Sequence, residues 1–172
     1  MSTRIAPVIP GTKPELASLE EKILLERGNI SPLYQILLNA PEIAQGWEAL
    51  LTAIRNRNSL SPAIREMIIL RVAVLNHAEY EFDAHVPHAI KAGLSAEKIE
   101  ALRQLPISNI FDEQERLIVE LTDAMTKNVQ VPDLLFDRIK PRFNDQEILE
   151  LVATISAYNM VSRLLNALKI SH

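Results

Sequence analysis

The segment 64–75, I-R-E-M-I-I-L-R-V-A-V-L, is apolar around nearly its whole circumference and is interrupted only by Arg65, Glu66 and Arg71. A helix without a polar face belongs in a core, so the rest of the chain has to be arranged around it. Ser61 and Pro62 mark its start: serine is a preferred N-cap, and proline at the first helical position lacks only an N–H that would have no partner there. Some of these charges are expected to be drawn toward the interior, where they need partners or shifted pKa values. Glu66 has two open readings, an inward carboxylate or one facing water at the positive helix end.

The chain restarts at Asn76. Asn76 and Glu79 have the spacing of a capping box, which predicts two helices meeting near Asn76. One continuous helix of about 48 Å, at ~1.5 Å per residue, is the alternative. In the second helix Ala78, Phe82, His85 and Ala89 share one face, with Val86 beside them. Glu81 lies one turn before His85, His88 three residues after it, and His77 four before Glu81, so the carboxylate and the imidazoles can project into one region. Pro87 removes the N–H that would bond the Asp83 carbonyl and predicts a kink, and Gly93 closes the helix.

Arg65-Glu66, Leu70-Arg71-Val72-Ala73, Tyr80-Glu81-Phe82, His85 and Ala92-Gly93-Leu94-Ser95 stand in the order and spacing of a known motif. Together they resemble the central motif of the carboxymuconolactone decarboxylase family, most clearly from about Pro41 to Leu105, and the tail Tyr158-Asn159-Met160-Val161-Ser162-Arg163 fits the same group. The resemblance implies an all-α, alkylhydroperoxidase D-like helical bundle. In the peroxidase branch of that fold a Glu precedes a Cys-x-x-Cys pair and a His. Laid onto this chain, the Glu falls on Glu66, the His on His85, and the thiol positions on Ala78 and Glu81. The chain contains no cysteine. Thiolate is the nucleophile of peroxide reduction and disulfide exchange, so thiol peroxidase chemistry with the chain's own side chains is excluded.

What the resemblance leaves is a cofactor-free decarboxylase-like reaction, a lyase step on a small carboxylated or lactone catabolite of aromatic-acid breakdown. A histidine near its working pKa suits proton transfer, and a desolvated glutamate can be tuned toward neutrality. His85 is then the expected general acid/base and Glu66 its orienting partner. Glu81 is a second acid/base, and Tyr80 a donor to an enolate or carboxylate. Arg65, Arg71, His88 and His77 are candidates for holding substrate, the arginines because a guanidinium fork matches a carboxylate. The basic loop Arg55 to Ser59 is a further candidate, with plain solvation as its default. Each residue also has a bland reading, a hydrogen-bonded core histidine for His85 and packing for Tyr80 and Trp47. Two other classes stay open: a metal-binding member, since Glu81, His85 and His88 offer oxygen and nitrogen donors without the His-Glu-x-x-His spacing, and a non-catalytic oligomeric small-molecule-binding protein.

With 172 residues, 48% of them hydrophobic, the chain is long enough for one substantial core. Eighteen basic against 22 acidic side chains, net charge -4, give no electrostatic case for nucleic acid. Neither a secretory leader nor a membrane span is indicated, and lack of cysteine fits the cytoplasm. Residues 1–13, with Pro7 and Pro10, read as an extended arm and 14–172 as a single helical domain. Helices are expected over Glu15–Arg27, Leu33–Asn39, from Pro41 through Ile43, Trp47, Leu50, Leu51 and Ile54, over Ala96–Gln104 up to Pro106, from Asp112 to about Asn128, over Asp133–Lys140, and from Gln146 to about Lys169. The openings at Arg65-Glu66 and Gln146-Glu147 echo each other, suggesting two similar helical halves. Such apolar helices and the family resemblance imply a homo-oligomer, a trimer or hexamer.

Overall fold

The computed structural model describes residues 3–104 and 109–171. Among them every regular element is helical, as the fold class requires. The expected stop at Pro106 lies outside the described residues.

The chain divides into two compact units, 1–57 with 165–172, and 58–164. The first contains a short 3-10 turn (Pro14–Leu16), α1 (Ala17–Arg27), α2 (Pro32–Leu37) and α3 (Pro41–Asn56). α1 ends at Gly28, whose φ of 77° is the left-handed conformation that glycine adopts without a Cβ penalty. The N-terminal arm lies on this unit: Val8 is buried and donates its N–H to the Gln35 carbonyl, while Arg4 donates to Leu168. Leu16, Ile23, Ala44, Trp47, Leu51 and Ile54 form the apolar interior. Leu24, Ile43 and Leu50, expected on inner faces, are exposed instead. The buried face of α3 instead carries Ala44, Trp47, Glu48 and Leu51, and there Glu48 meets Arg27 of α1 and Tyr34 of α2.

The second unit is built on α4 (Pro62–Leu75), which packs against α5 (Glu79–Lys91) and α7 (Glu113–Asn128). Ser61 caps α4 by accepting the Ile64 N–H at 3.2 Å. Met67, Ile68, Ile69, Leu70 and Val72 are at most 1% exposed, so the helix without a polar face is a core helix. α6 (Ala96–Ala101), α8 (Asp133–Ile139) and most of α9 (Asp145–Leu168) complete the unit. Reciprocal Asp112/Glu115 and Asn144/Glu147 bonds cap the starts of α7 and α9. By length and composition α9 could cross a membrane, yet half of its most apolar window is buried inside the protein, as in a core helix.

Two helices do meet near Asn76, but not through a capping box. Asn76 is the C-cap of α4, the N–H of His77 bonds the Val74 carbonyl, and the N–H of Ala78 bonds the Ala73 carbonyl. This is a Schellman closure with His77 in the left-handed position, φ 53°. The Asn76 side chain is used elsewhere, donating to Asn159 Oδ1 at 3.0 Å. Pro87 stays inside α5: it and Asp83 are both exposed, so water can satisfy the carbonyl left without a donor.

Candidate functional site

α4 and α5 put three titratable side chains together. Glu66 reaches inward from the second turn of α4, and its Oε2 lies 2.6 Å from Nδ1 of His85. On the other edge of the same ring, Nε2 lies 3.2 Å from Oε1 of Glu81, one turn earlier on α5. Glu66, Glu81 and His85 are only 4–5% exposed. The open question about Glu66 is therefore settled by packing: its carboxylate is inside and paired.

A neutral imidazole can donate from only one nitrogen, whereas an imidazolium donates from both and satisfies both carboxylates. Burial opposes that charge, but hydrogen bonds and attraction from Glu66 and Glu81 outweigh it and hold His85 above its ordinary pKa. The ring is also fixed from a third direction. Tyr158, in α9 and 1% exposed, stands edge to face with it at 5.3 Å between centroids and 89° between planes.

The other expected residues fall into two groups. Arg65 stays near the cluster: its Nε is buried without an acceptor, 4.0 Å from Glu66 Oε1, and its Nη1 donates to Asn58 at 3.3 Å. His88 lies on the exposed flank with its ring centroid 5.6 Å from that of His85. Tyr80 is half-buried on α5. Arg71 and His77 do not join them. Arg71 is completely buried, with Nε and Nη2 on Asp123 at 2.6 and 2.8 Å and Nη1 on the Leu102 and Gln104 carbonyls. Its expected role in binding a ligand carboxylate is corrected to that of a tie between α4, α7 and the chain after α6. His77 is exposed at the left-handed turn. The basic loop disperses too: Arg57 pairs with Glu26, and Ser59 donates to Glu150.

Among the described residues no three His, Asp or Glu side chains stand where they could share a metal ion, because the cluster directs its donors at one another. A cleft of about 170 Å³ between the first turns of α4 and α7, lined by Ser61, Ile64, Met67, Asp112 and Gln114 among others, contains none of the acid/base candidates.

The profile of the carboxymuconolactone decarboxylase family matches residues 41–124, a span that includes Glu66, Glu81 and His85. This stretch, just under half of the chain, is similar to that family. YdfG of Bacillus subtilis, an uncharacterized protein, is 26% identical over 110 residues, 63% of this chain and 75% of that one. The crystal structure of ATU0492 from Agrobacterium tumefaciens, a protein of unknown function, is 27% identical and superposes with a TM-score of 0.74 over 80% of this chain and 94% of its own. An uncharacterized peroxidase-related protein from Silicibacter sp. TM1040 shares 19% identity, with a TM-score of 0.83 over 98% of this chain and 90% of its own. A peroxidase-related protein from Ralstonia eutropha JMP134, described as an alkylhydroperoxidase AhpD core, shares 15% identity with a TM-score of 0.83 over 97% of this chain and 90% of its own, which shows the alkylhydroperoxidase D-like fold. In this cysteine-less chain, the two positions that the resemblance assigns to thiols hold Ala78, the buried N-cap of α5, and Glu81, against the His85 ring.

Sequence reasoning did not single out Tyr158, which lies 73 positions from its ring partner in the chain; its place in the Tyr158–Arg163 tail was the only signal. It also missed the buried group of Glu48, Arg27, Tyr34 and Thr52 in the first unit. There Glu48 accepts from Arg27 Nε at 3.0 Å, Thr52 Oγ1 at 2.5 Å and the Tyr34 hydroxyl.

Proposed function

We propose that this chain is a cofactor-independent, decarboxylase-like enzyme acting by acid/base chemistry on a small carboxylated or lactone catabolite, without thiol peroxidase activity. The observation that supports this reading is the buried imidazole held between Glu66 and Glu81, a proton-handling group whose affinity for the proton is set by its neighbours.

In the proposed reaction the bond from the ligand carbon to its carboxylate breaks, the electron pair stays on carbon as an enolate, CO2 leaves, and a proton from the His85/Glu81 edge closes the carbon valence. Glu66 holds Nδ1 and with it the ring orientation. The proton leaves through the Nε2 edge, where Glu81 stands. Arg65 brings positive charge to the Glu66 side and suits the departing carboxylate or the enolate oxygen. Tyr80 and His88, on the same helix, are proposed ligand contacts. The enzyme is proposed to work in the cytoplasm as a homo-oligomer, trimer or hexamer; exposed Leu25, Ile43, Leu134 and Leu149 are apolar surface that association could cover.

Release of CO2 from a panel of carboxylated lactones and β-keto acids, followed by ¹³C NMR, tests the proposal. His85→Gln and Glu81→Gln should each lower turnover of any accepted substrate by about 100-fold or more. Unchanged turnover in both variants overturns the assignment.

A further inference from the structure

We infer that Tyr158 is a positioning residue for His85, and that α9 thereby completes the acid/base site built by α4 and α5. This rests on the functional reading above only in assigning His85 a proton to carry.

The contact is geometric. Two rings with centroids 5.3 Å apart and planes at 89° are in the favoured edge-to-face arrangement, and Tyr158 is 1% exposed, so its ring is held by packing. The next residue locks the register of α9 on this unit. Asn159 donates to Thr126 Oγ1 on α7 at 3.0 Å and to the Ile155 carbonyl, and its Oδ1 accepts from Asn76 at the turn between α4 and α5. One side of α9 therefore touches the catalytic ring and, one residue later, the turn joining the helices that carry Glu66 and His85. A buried amide satisfied on both ends tolerates little displacement.

The charged and titratable groups around the ring are Glu66 and Arg65 from α4, Glu81 and His88 from α5, and Tyr158 from α9. The two glutamates fix the ring edge within its plane. Carboxylates do not stop the ring from tilting about the line between its nitrogens, and a perpendicular aromatic neighbour does. Tyr158 thus supplies the restraint that the two hydrogen bonds lack, and its quadrupole acts differently on the neutral and charged imidazole.

The test is an NMR titration of the full-length protein without ligand, following the His85 ring ¹H and ¹⁵N signals in wild type, Tyr158→Phe, Tyr158→Leu and Tyr158→Met. The wild type should show ring-to-ring NOEs between His85 and Tyr158. Phenylalanine should preserve the titration midpoint. Leucine and methionine should move it by roughly half to one pH unit and broaden the ring N–H signals. Methionine fills much of the volume, which guards against loss of folding. Three results overturn the inference: no ring-to-ring NOE in wild type, an unchanged midpoint in a folded leucine or methionine variant, or the full shift already present in Tyr158→Phe, which would assign the effect to the hydroxyl. None requires turnover, so failure of the decarboxylase reading leaves this outcome separately readable.

Discussion

Glu66 on α4 and Glu81 on α5 face each other across the ring of His85, one at 2.6 Å from Nδ1 and the other at 3.2 Å from Nε2. A carboxylate at each nitrogen makes the imidazolium the favoured form, and this has a measurable consequence for stability. His85 has a folded-state pKa above its unfolded value, so its contribution is fully present below about pH 6.5 and is lost as pH rises through the folded pKa. Urea unfolding measured across that range should show stability falling with pH, with a shallower fall in His85→Gln. Glu66→Gln, which keeps the volume and removes the charge, should lower the His85 titration midpoint seen by NMR.

Arg71 and Asp123 make the opposite kind of contact, a structural one. The guanidinium is 1% exposed and its partner 17%, so removing one member strands a charge. Arg71→Met should cost about 3 kcal/mol or more in denaturant unfolding. Asp123, which burial alone would raise, is held below its ordinary pKa by Arg71 and Lys127. Its contribution is present above about pH 4 and is lost as pH falls through the folded value. Asp123→Asn should therefore flatten the acid side of the stability profile. A stability loss in Arg71→Met near zero would contradict the tie.

In the first unit, Tyr34 and Arg27 both address the fully buried Glu48. Burial and the neighbouring carboxylate push the Tyr34 hydroxyl far above its ordinary pKa, so it remains a donor across the accessible range. Tyr34→Phe leaves Glu48 one donor short and should cost roughly 1–3 kcal/mol. Spectrophotometric titration should show one tyrosine fewer in the late, alkaline part of the curve.

His77 occupies a backbone conformation that penalises a Cβ, with φ 53° at an exposed turn. His77→Gly should raise stability by about 0.5–1 kcal/mol, and His77→Val should lower it by about 1–2 kcal/mol, both read from thermal or urea unfolding.

Much of this was legible in the sequence because it was local. Ser61-Pro62, Asp112/Glu115 and Asn144/Glu147 carry their helix starts within four residues, and the nearly all-apolar circumference of α4 has no place except a core. The pairing of Glu66 with His85 came from the family motif, and the Glu81 contact follows from helical spacing. What escaped was tertiary. Asn76 reads as an N-cap until Asn159, 83 residues away, claims its side chain. Arg71 reads as an available cation until α7 presents Asp123. Leu50 and Ile43 read as core, but the buried face of α3 carries Glu48, which pairs with Arg27 and Tyr34. In each case a polar side chain chose a distant partner, which apolar periodicity does not register.

The grip on both nitrogens of His85 also limits how the ring can work. A histidine with one free nitrogen can swing, collect a proton from one side and deliver it to the other. A ring clasped at both edges and set against Tyr158 lacks that freedom. Under the proposed reaction, departure of the proton strips the charge that holds two acids together and favours an arrival in its place. The ring would then act as a turnstile, one in for one out.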